Sequence, residues 1–232
     1  RSRGLGDVYK RQIVGSFTEE EIKPLLEEYI ASLPAKNRQE KAKDLEIQEP
    51  AKGVETVVNK GKEQKATVQL AYYGDYAYSE EENMNLDALE SILNITLIER
   101  LREDESGVYG VGAGANYRKF PKPRYSFSIG FGSAVDKAQP LIASTLDEIN
   151  KIKKNGPTKV DLEKFVIEQK RQLEVQLREN GFWLGHIVNS AQNQEDATHI
   201  LKYMDELNKV TVESVKAVAD KYLKEDRLFR FI

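Results

Sequence analysis

Apolar positions along this chain change their period several times, and each change marks an element. Between residue 79 and about residue 104, Leu86, Leu89, Leu93, Leu97 and Leu101 recur at steps of three and four, with Ile92 and Ile95 widening the stripe. That spacing predicts a long helix lying against a sheet. Residues 108–118 and 125–131 then alternate apolar or small with polar side chains, the period of strands covered on one face. Phe120-Pro121-Lys122-Pro123 joins them, and its prolines break any ladder. Upstream, 54–59 and 66–73 are further strand candidates. Downstream, helical stripes run over 134–154, 158–180, 182–192, 197–207 and 211–223, before 228–232 returns as a strand.

The first fifty residues follow another pattern. Ile13 to Phe17 is a short strand signal, and Thr18 with Glu21 forms a capping box for a helix striped by Ile22, Leu25, Leu26, Tyr29 and Ile30. Residues 35–50 are dominated by Lys, Glu, Asp and Gln and read as a linker. Residues 13–34 are therefore expected to be the last strand and helix of a preceding domain, and 51–232 a C-terminal domain. Residues 1–12, RSRGLGDVYKRQ, read as a translated adaptor and are set aside. The chain is expected to be a fragment, because 230–232 also lies inside an apolar run. Strand pairs grouped before a run of helices argue for an α+β two-layer sandwich, a mostly antiparallel sheet covered by helices.

Composition removes several functions. A net charge of −3 gives no electrostatic case for nucleic acid or an anionic membrane. No apolar run is long enough for a transmembrane helix. The chain has no cysteine, which rules out disulfides, Cys-zinc sites and thiol catalysis and leaves the compartment open.

The candidate chemistry narrows in the same way. His186 and His199 each lack a second His or a Glu at helical spacing, and no His-x-x-Glu-His occurs, so the chain builds no zinc site of its own. No nucleophile elbow is present, and Gly110, Gly112 and Gly114 fit no phosphate-loop spacing. Lying on alternate positions, those glycines predict a bare strand face suited to close packing or to an approaching peptide. Glu80, Glu81 and Glu82 complement a helix N-terminus. One stretch, Leu101-Arg102-Glu103-Asp104-Glu105-Ser106-Gly107-Val108-Tyr109, sets an Arg in a last helical turn and a Tyr at the next strand's start. A guanidinium fork and a phenol at such a corner could bind peptide carbonyls, the phenol steadying a developing oxyanion. Helix-dipole and strand preferences would place the same residues there with no such role.

That stretch, with its Arg-to-Tyr interval of seven residues, resembles the insulinase/pitrilysin family of zinc peptidases. Two further pieces match: Ile13 to Phe17 with its helix and Leu33-Pro34, and Asn180-Gly181-Phe182-Trp183-Leu184. The resemblance implies a LuxS/mitochondrial-processing-peptidase-like metallohydrolase fold and a C-terminal, zinc-free domain of a zinc endopeptidase or oligopeptidase. It further implies that Arg102 and Tyr109 bind substrate and that Tyr109 hydrogen-bonds the scissile carbonyl oxygen. No cofactor belongs to this part; zinc belongs to an N-terminal domain, joined in cis or present in a partner subunit. The substrate is a peptide or unfolded polypeptide, and the resemblance favours the periplasm or cell envelope. The alternative is a non-catalytic scaffold or partner subunit acting in protein assembly. Alone, the fragment is expected to be inactive.

Overall fold

The structure, a computed structural model, describes residues 11–34 and 50–232. Two compact units share the chain: residues 11–34 with Gln172–Ile200, and residues 50–171 with Leu201–Ile232. The adaptor and linker expectations fall almost wholly outside the described residues.

The first unit is helical among its described residues. Its opening helix α1, Glu19–Leu26, starts at Thr18, whose side chain accepts the Glu21 amide while Glu21 returns to the Thr18 amide, so the expected capping box is present. Helix α1 passes into a wider π-helical turn, Glu27–Ala31. Ile13 to Phe17 does not form the expected strand. A strand needs a neighbour for its ladder, and among the described residues its unit contains none.

Among its described residues the second unit holds a five-stranded sheet of order β1-β5-β2-β4-β3. Its strands are β1 Glu55–Thr56, β2 Lys65–Asp75, β3 Val108–Arg118, β4 Arg124–Ala134 and β5 Leu228–Phe231. Three of the four pairings are antiparallel and β1–β5 is parallel. The candidate strand 54–59 shortens to Glu55–Thr56, although its pairing continues on both sides: the Arg230 amide donates to the Val54 carbonyl and the Val58 amide to the Ile232 carbonyl.

Helix α2, Glu80–Leu97, is capped by Ser79 and crosses between the parallel strands β2 and β3. It buries Leu86, Leu89, Leu93 and Leu97 against the sheet face that carries Val68, Leu70, Tyr72, Phe127, Ile129 and Phe131. Helices α3 Ala138–Asn155 and α7 Val212–Tyr222 complete this layer with Leu141, Ile142, Ile149, Val215 and Val218. Between them the chain forms α4 Lys159–Gln176, α5 Asn180–Asn193 and α6 Tyr203–Leu207. The sheet's other face carries Gly112, Gly114, Ser126, Ser128, Gly130 and Gly132. This is an α+β sandwich of one sheet and one helical layer.

Candidate functional site

The corner between α2 and β3 is built locally. Helix α2 widens into a π-helical segment, Ile98–Asp104, in which Leu101 is buried and Arg102 is exposed. The Glu105 amide closes back on the Arg100 carbonyl at 3.2 Å and the Gly107 amide on the Leu101 carbonyl at 3.0 Å. Ser106 takes the left-handed backbone region at φ 47°. The turn is braced by Arg100, whose Nε donates to Glu105 Oε1 at 2.7 Å, and the same carboxylate oxygen accepts Ser144 Oγ of α3 at 2.8 Å. Two arginines therefore lie in this segment with different fates. Arg100 is spent on the corner, whereas Arg102 makes no hydrogen bond or ion pair among the described residues.

Beyond the turn, Val108 is buried and Tyr109 is 91% exposed. A β-bulge separates them from the regular ladder. Val108 faces Ser133 and Val111 faces Phe131, so Tyr109 and Gly110 together stand opposite Gly132. The extra residue turns the strand's parity, moving the buried register from Val108 to Val111 and leaving Tyr109 on the solvent side. Arg102 and Tyr109 thus occupy the two limbs of one corner, both facing solvent, without a direct bond to each other. Among the described residues nothing within 4 Å would meet a side chain at Gly110, only an Asn94 oxygen at 4.0 Å would meet one at Gly112, and the Ser128 hydroxyl at 3.8 Å would meet one at Gly114. Among the described residues, tight packing therefore does not account for the expected bare face.

Along β3, α2 lays down a row of polar side chains that no sequence period marks. Asn94 Oδ1 accepts the Ala113 amide at 2.8 Å while its Nδ2 donates to the Ala113 carbonyl at 3.0 Å. Glu90 Oε2 accepts the Ala115 amide at 2.9 Å, and Asp87 Oδ2 accepts the Tyr117 hydroxyl at 3.1 Å. Burial raises the Asp87 carboxyl to about 7, the Tyr117 hydrogen bond opposing the rise and the Glu90 carboxylate adding to it. Beside this row lies a groove of about 740 Å3 between α2 and α4, lined by Asp87, Glu90, Asn94, Phe165, Ile167 and Glu168.

These residues do not fit a zinc ion. Asp87, Glu90 and Ser91 stand at the steps of three and four that an inverted zinc motif requires. Both carboxylates are already engaged, however, and a serine hydroxyl is not among zinc's ordinary ligands. His186 Nε2 is paired with the Ala197 carbonyl at 2.7 Å. Among the described residues no group of three or more His, Cys, Asp or Glu is placed to hold a metal, and no helix is long and apolar enough to cross a membrane.

A family profile described as the peptidase M16 inactive domain matches residues 12–167. The probable zinc protease PqqL of Haemophilus influenzae is 25% identical over 226 residues, which are 94% of this chain and 23% of that protein. The crystal structure of the periplasmic protease PqqL from Escherichia coli superposes with a TM-score of 0.79 at 21% identity, covering 94% of this chain and 24% of that one. A protease from Helicobacter pylori gives a TM-score of 0.77 at 21% identity, covering 94% and 53%. These likenesses carry the fold. The chain spans about a quarter of the curated relative it matches.

Proposed function

Because the chain belongs to the peptidase M16 inactive-domain family, we propose that it is the zinc-free, substrate-gripping part of a zinc endopeptidase or oligopeptidase. Arg102 holds the bound peptide beside the cleavage site and Tyr109 donates a hydrogen bond to the scissile carbonyl oxygen. Activation of the attacking water belongs to a zinc carried by another part of the parent, in the same chain or a partner subunit. In this reading residues 13–34 close the preceding domain, 35–50 link the two, and 51–232 form the gripping domain. The parent works in the periplasm or cell envelope on peptides or unfolded polypeptides.

One observation carries the reading: Tyr109 stands 91% exposed at the bulge that follows the helix corner, and the exposed Arg102 of that corner makes no hydrogen bond or ion pair among the described residues. A strand-start tyrosine serving only packing would be expected to bury its ring, which is worth about 0.5–1.5 kcal/mol in aromatic contacts beyond its area. The phenol at this corner forgoes that gain. A free phenol suits a carbonyl that becomes an oxyanion, because its hydrogen bond strengthens as charge develops. A free guanidinium suits peptide carbonyls or a carboxylate through its planar fork.

The test is Tyr109→Phe in the full-length parent, with zinc content and folding checked first. Loss of one oxyanion donor costs on the order of 100-fold in turnover or more. That drop in kcat with KM little changed is the expected result. Unchanged turnover would remove the oxyanion role and leave a scaffold.

A further inference from the structure

Strand β3 is the last in the order β1-β5-β2-β4-β3. An edge strand exposes alternate amides and carbonyls, a template on which another chain can add itself. The outward groups of β3 include those of Ala113 and Ala115, and α2 takes three of them. The Asn94 carboxamide meets both the N–H and the C=O of Ala113, pairing with that residue as the peptide group of a neighbouring strand would. Its Nδ2 also donates to the Glu90 carbonyl at 3.1 Å, which fixes the amide's orientation. One turn back along α2, Glu90 takes the Ala115 amide. Asn94 and Glu90 are four residues apart and the two alanines two apart, so one helix face follows the strand's period across this interval.

We infer that Asn94 and Glu90 close the β3 edge to an added peptide strand, so that an extended polypeptide meets this edge through side chains at the Tyr109 bulge and not through backbone pairing across Ala113–Ala115. The excluded partners include a second copy of this chain joined edge to edge. The consequence for substrate rests on the reading of Tyr109 given above; the closure of the edge does not. An incoming strand would have to displace a two-bond carboxamide pair and a charged acceptor, leaving a carboxylate facing its own backbone. The small residues of β3 are consistent with this arrangement, because a bulky side chain at Ala113 or Ala115, which are half-buried beneath α2, would push the helix off the strand.

The test uses the 232-residue chain itself. Amide exchange is followed at Ala113 and Ala115 in the wild type, Asn94→Ala, Glu90→Ala and the conservative Glu90→Gln. Asn94→Ala is expected to speed exchange at Ala113, and Glu90→Ala at Ala115, by about tenfold or more, since each removes one amide's acceptor. Glu90→Gln, which keeps an acceptor oxygen, is expected to retain protection at Ala115. Sedimentation is expected to show concentration-dependent association of the double alanine variant where the wild type stays monomeric. Unchanged exchange at both alanines in the single variants would overturn the inference, as would wild-type association that Ala113→Pro abolishes. None of these readouts depends on Tyr109, so failure here and failure of the turnover experiment are separable.

Discussion

A Cβ built on Gly107 would stand 2.5 Å from Leu141 Cδ2, with Cδ1 and Cγ at 3.1 and 3.2 Å. Leu141 is 2% exposed and cannot swing away without opening a gap in the core. Gly107→Ala is therefore expected to destabilise the chain by about 1–3 kcal/mol, read as a lower urea midpoint with an unchanged slope. A midpoint equal to the wild type would mean that Leu141 yields to the added methyl group without loss of core packing. In the sequence this glycine reads only as half of a Ser-Gly turn; its steric reason lies 34 positions away in α3. The two arginines show the same limit. Arg100 and Arg102 carry equal local signals, and only the carboxylate of Glu105, held in turn by Ser144, separates the brace from the displayed cation. Arg102→Lys, keeping the charge but losing the fork, is accordingly expected to raise KM of the parent about tenfold with little change in stability, whereas Arg100→Lys should lower the melting temperature first.

Among elements, α2 and β3 divide what sequence can disclose from what it cannot. The leucine stripe of α2, its Ser79 cap and the alternation of β3 and β4 follow from local periodicity, and the structure has all of them. The bulge at Tyr109 and the row Asp87, Glu90 and Asn94 depend on how a helix and a strand distant in sequence meet, which no period encodes. Ile13 to Phe17 fails for the complementary reason: a local strand preference needs a neighbour to pair with, and the described residues of its unit offer none. The row also makes α2 sensitive to acidity. Folding raises the Asp87 carboxyl to about 7, well above its usual range near 4. Between those values the folded chain keeps a proton that the unfolded chain has lost, so this group makes the fold more stable as pH falls from 7 toward 4 and less stable once it ionises. Asp87→Asn removes the ionisation and leaves an acceptor for Tyr117. The variant is expected to be the more stable protein at about pH 8 and to flatten the dependence of the urea midpoint across that window. Parallel pH profiles for the two proteins would show that the carboxyl titrates as it does in solvent.

On the scale of the whole molecule, the two units bury very different cores. In the second, Val68, Leu70, Leu89, Leu93, Phe127 and Ile129 are fully buried. In the first, α1 buries no residue, and Leu25, Tyr29, Ile30 and Leu33 remain 50%, 63%, 42% and 50% exposed. An eight-residue helix lies below the about 12–15 residues at which isolated helices become even marginal in water, so its stability must come from packing on its apolar stripe. Local opening free energies should therefore diverge across the chain. Amides of Glu19–Ala31 are expected to exchange near the unprotected rate, while those of β2 and β4 wait for global unfolding. If the rest of the parent covers that stripe, the same segment in the full-length protein should gain protection, and β2 and β4 should change little. A segment already slow to exchange in the 232-residue chain would mean that α1 needs no more of the parent than is present here. In that case Leu25, Tyr29, Ile30 and Leu33 would stay solvent-facing in the full-length protein, and exchange across Glu19–Ala31 would be the same in both proteins.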